Sequence, residues 1–345
     1  HLPGCFHGRS QAGGRLKKKS LLSSWQFWAG LSISLGAFAL ALRGVQFRKV
    51  WTALLQADYL YLVPAFLLLL VAVLTKAERW GVLFYPLEGL PRKHLFAAMG
   101  IGYLGNNIFP ARIGELIRAY VIGTATGASK SQALATIVVE RLVDILTLLL
   151  FMVVLLPTLR LPAWLQHSLL TLGVATVVLT LVLALVPAVE RWLQSGIRWL
   201  TRKVPRLAKL DLESQVSSFM VGLAVLRVPK LAIPISGWSL VSWVASGLAY
   251  YAVMMAFHLH LPVTAAFWVV VITSLGMVIP SSPGYVGVFH YLTVLTLGLF
   301  GVDQGIALSY ALVLHAVVYI FLSATGVYGM AVESLGFGEL TSVRE

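Results

Sequence analysis

Residues 132–156, QALATIVVERLVDILTLLLFMVVLL, decide the fold class. At 1.5 Å of rise per residue such a helix crosses a hydrocarbon core roughly 30 Å thick, yet it carries Glu140, Arg141 and Asp144. Ionisable side chains at that depth are costly, so they face the protein interior and mark a pathway or binding site. Glu140 enters the run by about eight residues, roughly 12 Å. Asp144 follows one turn deeper on the same face, and Arg141 reaches Asp144 at i, i+3.

Working outward, Trp25 to Leu42, Tyr59 to Ala77, Ser168 to Val186, Leu231 to Phe257 and Gln304 to Met330 are comparable apolar runs. With 59% hydrophobic and 11% charged residues, the composition lies outside the soluble range. These features predict an all-α integral membrane protein with about six full transmembrane helices. Leu95 to Phe109 and Ile113 to Thr124 are each too short to cross, and Pro110 breaks the helix between them, because proline lacks the N–H donor and crowds the preceding turn. Ala266 to Ile279 and Tyr285 to Phe300 repeat the arrangement around Pro280, Ser281, Ser282, Pro283 and Gly284. Both read as re-entrant helical hairpins. Pro110 and Gly114 in the first, and Pro280, Ser281, Ser282, Pro283, Gly284 and Gly287 in the second, are hinge or gate candidates.

The two units, about 95–156 and 264–330, align around their breaks, Gly114-Glu115 against Gly284-Tyr285. Three crossings separate them, so the second unit is inverted relative to the first. Inverted repeats whose broken helices meet near the midplane are a transporter architecture.

The net charge of +13 is distributed by topology and gives no case for nucleic acid. Basic residues gather in the N-terminal segment 1–24, after the second run (Lys76, Arg79, Arg92, Lys93) and within 190–229. This is a positive-inside pattern with both termini cytoplasmic. Residues 1–24 read as a disordered basic arm, 25–332 as one transmembrane domain, 190–229 as a cytoplasmic amphipathic segment and 333–345 as a tail. The single cysteine, Cys5, permits no intramolecular disulfide.

The candidate substrate site comprises Asn106, Asn107, Arg112, Glu115, Arg118, Glu140, Arg141 and Asp144. Three arginines face three carboxylates, and such a balance lets buried charges persist. One reading is an ion-pair network that only pins the first hairpin to the following span. The other is that an arginine exchanges its carboxylate for a lipid phosphate, which guanidinium grips bidentately. His290 and His315 are candidate proton carriers; the histidines lack metal-ligand spacing, and no metal or cofactor is expected.

Asn106, the run Pro110-Ala111-Arg112-Ile113-Gly114-Glu115 with Arg118, then Glu140-Arg141-Leu142-Val143-Asp144, and then Pro280-Ser281-Ser282-Pro283-Gly284 with Gly287, resemble the lysylphosphatidylglycerol synthase transmembrane region family. This flippase-like family includes the membrane half of the multiple peptide resistance factor. The resemblance runs from about Trp25 to Val332. It implies a bacterial inner-membrane protein that moves a membrane phospholipid or lipid-linked substrate, anionic or phosphate-bearing, between leaflets. The aminoacyl-transferring members carry a soluble catalytic domain after this region; its absence from the sequence, with the lack of an Asp-x-Asp motif, leads to the expectation that the chain is not an enzyme. A lipid-binding scaffold subunit and a glycosyltransferase using a polyprenyl phosphate are the alternatives.

Overall fold

The computed structural model of the chain describes residues 25–109, 112–158, 163–185, 212–278 and 282–336, with isolated positions between 192 and 203. The expectations for residues 1–24, for 16 of the 40 residues of 190–229, and for Pro110, Pro280, Ser281 and the tail beyond 336 lie outside the described residues. Every described element is helical, and no strand occurs among the described residues.

The helices are α1 (Trp25–Leu42), α2 (Phe47–Gln56), α3 (Leu62–Leu83), α4 (Arg92–Ile108), α5 (Ile113–Thr126), α6 (Lys130–Leu155), α7 (Ala163–Leu185), α8 (Leu212–Leu223), α9 (Pro229–Ala256), α10 (Val263–Gly276), α11 (Val288–Gly298) and α12 (Gln304–Val332). Three are long and apolar enough to cross a membrane: Tyr59–Leu83, Pro229–Ala256 and Gln304–Val332, the first including a short 3-10 turn before α3. The pair α1 and α2, bent by 86°, makes a fourth if counted as one broken span. Helix α6, with 26 residues, matches them in length but carries the Glu140, Arg141 and Asp144 group.

Local chemistry sets the helix ends. The Ser129 hydroxyl accepts from the Gln132 N–H and caps α6, and Gly127 (φ 73°) ends α5 in the left-handed region that glycine adopts at little cost. Asp303 caps α12 through the Gly305 N–H, and Lys49 from α2 donates to the same carboxylate at 2.7 Å. That hydrogen bond from Lys49 holds the Asp303 carboxyl below its usual pKa range. It also ties the bend after α1 to the start of α12.

Two close helix pairs frame the interior. Helix α3 lies along α9, and α4 lies along α12. The second contact depends on small residues: Gly100 meets the backbone of Thr325 and Gly326, while Gly329 meets that of Ala97. A Cβ at Gly326 would sit 2.8 Å from the Gly100 carbonyl oxygen and would overlap the Leu104 side chain. Gly326→Ala is therefore expected to force α4 and α12 apart, costing about 1–3 kcal/mol. A lowered thermal midpoint in detergent would register this, and an unchanged midpoint would refute the tight contact.

Two pairs of short helices fall at the positions where hairpins were expected, with shifted ends. Helices α4 and α5 fold back on one another across Gly102, Gly105 and Gly114; a Cβ on Gly114 would lie inside contact distance of the Gly102 carbonyl oxygen. Gly114 thus serves a close approach of two backbones. Helices α10 and α11 pack together across the second break, where Gly284 and Gly287 have φ of 66° and 90°. Each pair is followed by a long helix, α6 or α12.

Candidate functional site

Glu140 and Asp144 lie one turn apart on the buried face of α6, where solvated alternatives are absent and the charge must be met by protein groups. Three guanidinium groups meet Glu140. Arg118 on α5 donates from Nη2 to Oε2 at 2.7 Å and from Nη1 to Oε1 at 3.4 Å. Arg141 donates from Nη2 to Oε1 at 3.2 Å. Arg79 on α3 brings its Nη2 to 3.5 Å from the same Oε1. The side chains of Arg79 and Glu140 are both 0% exposed.

Asp144 is the second acceptor. Its Oδ1 accepts from Arg79 Nη1 at 2.7 Å and from the Trp243 indole N–H of α9 at 3.2 Å. Arg141 Nη1 stands 3.5 Å from Oδ2, as the i, i+3 spacing predicts. Arg79 Nη1 donates also to the Ser239 hydroxyl at 2.9 Å. The Arg118 guanidinium lies over the Trp80 ring at 4.3 Å, and Lys76 Nζ over the Trp243 ring at 4.3 Å. Aromatic faces attract cations without neutralising them.

The balance of three against three expected from the sequence is corrected by these contacts. Lys76 and Arg79 do not lie in a basic loop, because α3 continues to Leu83 and its buried face turns Arg79 inward. Five cations, Lys76, Arg79, Arg112, Arg118 and Arg141, now face three carboxylates, Glu115, Glu140 and Asp144, leaving an excess of two positive charges. Several donors also make no hydrogen bond among the described residues: Arg79 Nε and Arg118 Nε are buried without a partner, and Arg79 Nη2 and Arg141 Nε have only the ion-pair approaches to Glu140 at 3.5 Å and Glu115 at 3.3 Å. A buried donor without a partner costs roughly 1–3 kcal/mol.

Glu115 sits at the edge of this group, 3.3 Å from Arg141 Nε and 4.0 Å from Arg112 Nη1. Arg112 is the link to the second hairpin. It precedes α5 with φ 55°, a left-handed conformation uncommon for a non-glycine residue, and its Nη2 donates to the Met277 carbonyl oxygen just past the end of α10. Its guanidinium also faces the Tyr285 ring at 5.9 Å. The Arg112 side chain thus bridges the charged group and the second break.

The remaining candidate residues meet at this junction and not in the charged group. Asn107 donates to the Ser323 hydroxyl at 3.0 Å and to the Tyr319 carbonyl oxygen at 3.3 Å, fastening α4 to α12. Asn106 lies against Gly114, its Oδ1 buried without a partner. Ser282 accepts nothing from the arginines: its backbone N–H donates to the Ser34 hydroxyl of α1, and its own hydroxyl donates to the Val286 carbonyl oxygen. Pro283 opens the 3-10 turn that ends at Tyr285. His315 Nε2 donates to the Gly284 carbonyl oxygen at 2.8 Å, and His290 Nδ1 accepts from the Gly287 N–H at 3.3 Å. The two imidazole rings stand edge to face, 4.8 Å between centroids.

Lys76, Arg79, Ser239 and Trp243 belong to the site and were missed in the sequence. For Arg79 a signal exists. Ala65, Leu69, Ala72 and Leu83 recur at helical spacing on the buried face, and Arg79 falls on that stripe, four residues before Leu83. A separate cavity of about 300 Å³, lined by Glu78, Tyr85, Glu88, Leu90, Arg92 and Leu231 among others, lies between α3, α4 and α9. None of the eight charged residues of the group lines it.

The family described as lysylphosphatidylglycerol synthase TM region matches residues 27–326. The chain belongs to this family. A UPF0104 membrane protein of Methanothermobacter thermautotrophicus is 25% identical over 297 residues, covering 81% of this chain and 87% of that protein. A second UPF0104 membrane protein, of Methanocaldococcus jannaschii, is 24% identical over 217 residues, covering 62% of this chain and 87% of that protein. No solved structure matches the chain significantly. Membership in the lysylphosphatidylglycerol synthase transmembrane region family and the long apolar helices together make this an integral membrane protein.

Proposed function

We propose that this protein is a lipid flippase or lipid transporter that moves an anionic or lipid-linked phosphate-bearing substrate between leaflets, without covalent chemistry at its site. One observation carries the reading: three arginines converge on Glu140 in the middle of a long helix, inside a group with two uncompensated positive charges and four buried guanidinium nitrogens that make no hydrogen bond among the described residues. Arginine is suited to this role because its planar fork matches phosphate and stays charged when desolvated. A purely structural ion-pair network would balance its charges and satisfy its donors.

The proposed membrane architecture is about six crossings and two re-entrant hairpins in an inverted repeat, with both termini cytoplasmic and the protein in a bacterial inner membrane. The matching order of short helix, break, short helix and long helix in α4 to α6 and in α10 to α12 supports the repeat. The junction of the two breaks through Arg112 and Met277 supports their meeting at a common site. In this reading Glu140 and Asp144 hold the arginines while the site is empty, and a headgroup phosphate takes their place during passage.

The test is transport by the purified protein in liposomes. Fluorescent phosphatidylglycerol in the inner leaflet should become accessible to an added quencher in the presence of the protein. Arg141→Gln should abolish this gain, because its half-buried position lets the fold persist while a charged donor is lost. Lipid binding without movement by the unaltered protein would favour the scaffold alternative. Full transport by Arg141→Gln would refute the arginine site.

A further inference from the structure

We infer that the headgroup this site takes ends in a terminal phosphate, a phosphomonoester or the outer phosphate of a lipid diphosphate, in preference to the phosphodiester of ordinary phospholipids. This rests on the reading of the arginine group as a lipid-phosphate site, and it specifies the chemistry of that lipid. Two independent features of the group lead to it.

The first is charge. Five cations against three carboxylates leave an excess of two, and a phosphodiester offers only one negative charge. A terminal phosphate offers close to two above its second pKa of about 6. Lys76 is the cation that makes the difference. Among the described residues it contacts no carboxylate within ion-pair distance, lying over the Trp243 ring, whose N–H in turn holds Asp144.

The second is the number and kind of free donors. Arg79, Arg118 and Arg141 each have a buried Nε–H that makes no hydrogen bond among the described residues, and Arg79 Nη2 makes none either; Arg141 Nε and Arg79 Nη2 have only ion-pair approaches, of 3.3 Å to Glu115 and 3.5 Å to Glu140. On Arg79 those two atoms form one edge of the guanidinium, the edge that grips two oxygens of a single oxyanion side by side. Its opposite nitrogen, Nη1, is committed to Asp144 and Ser239. A phosphodiester has two non-bridging oxygens, which that fork would have to share with the other guanidinium groups. A terminal phosphate has a third, which can accept from Arg118 or Arg141. Both charge and donor count therefore favour the terminal group.

The full-length protein in detergent, at pH 8, is titrated with three probes: dioleoyl phosphatidic acid, dioleoyl phosphatidylglycerol and inorganic phosphate, with binding read from tryptophan fluorescence and checked by native mass spectrometry. Phosphatidic acid should bind about tenfold or more tightly than phosphatidylglycerol, the worth of one added charge-assisted contact. Lys76→Gln should shrink that ratio toward unity, because it removes one of the two excess charges. Equal binding of the two lipids by the unaltered protein would overturn the terminal-phosphate inference while leaving the lipid-phosphate site standing. Binding of neither lipid would overturn the site itself. Inorganic phosphate binding as tightly as phosphatidic acid would show that the site serves a soluble anion and would overturn the lipid source. The comparison between lipids needs no variant, so misfolding of Lys76→Gln would not shield the inference.

Discussion

Glu140→Gln is expected to destabilise the folded protein by about 3–5 kcal/mol, because it leaves buried guanidinium groups without their shared counter-charge. Arg118 loses a bond of 2.7 Å, Arg141 one of 3.2 Å and Arg79 an approach of 3.5 Å, all at a side chain with 0% exposure. The glutamine amide keeps the shape and one acceptor oxygen, so the loss reflects charge and not a cavity. Glu115→Gln supplies the comparison: its side chain is 24% exposed and its partners stand at 3.3 and 4.0 Å. Solvent screens that pair, and a cost of about 1 kcal/mol or less is expected. Unfolding followed by tryptophan fluorescence in detergent would measure both. Similar small effects for the two variants would mean that Glu140 is solvated and that the site is not closed.

The same buried charge explains how the site was partly legible in the sequence. Glu140, Arg141 and Asp144 stand out because an apolar run surrounds them, and their helical spacing alone gives the shared face and the Arg141 to Asp144 contact. The breaks were legible too, since prolines and glycines interrupt two apolar segments, and helix–break–helix units occur at both places. What sequence reading could not supply was the partner from a distant helix. Arg79 precedes Arg92 and Lys93 in the chain, and a cluster of basic residues after an apolar run reads as a cytoplasmic loop. Only the continuation of the α3 stripe to Leu83 shows that Arg79 and Glu78 part company. Arg79 points into the protein, whereas Glu78 pairs with the exposed Arg92 at 2.8 Å.

Arg112 illustrates the opposite limit. Sequence proximity to Glu115 and Arg118 put it in the anion site, and it does stand 4.0 Å from Glu115 at the edge of the group, but side-chain direction depends on the backbone before it. With φ 55° at the entrance to α5, Arg112 reaches the Met277 carbonyl oxygen across the junction. Asn107 behaves likewise, bonding across to α12 in place of facing the arginines. Local polarity identified both residues as important, and tertiary contact determined for what. Distances along the chain of 165 and 216 positions separate these partners, a range over which no local pattern carries information.

The role of Arg79 leads to the second large effect. Arg79→Met should cost about 3–5 kcal/mol, as should Asp144→Leu, since each strands a buried partner. The double variant should cost less than their sum by about 1–3 kcal/mol, the coupling expected for groups in direct contact. It should not return fully to the stability of the unaltered protein, because Trp243 and Ser239 each lose a hydrogen-bond partner and Arg141 loses a carboxylate. Arg92→Met is the control for a topological arginine: its side chain is 83% exposed and its pairing with Glu78 is worth roughly 0–1 kcal/mol. Fluorescence-detected unfolding of all four variants would complete the cycle. Strict additivity between Arg79 and Asp144 would show that the 2.7 Å contact carries no energy, and a cost for Arg79→Met no larger than for Arg92→Met would return Arg79 to the surface. The second result would remove one of the five cations and, with it, half of the excess positive charge on which the phosphate reading depends.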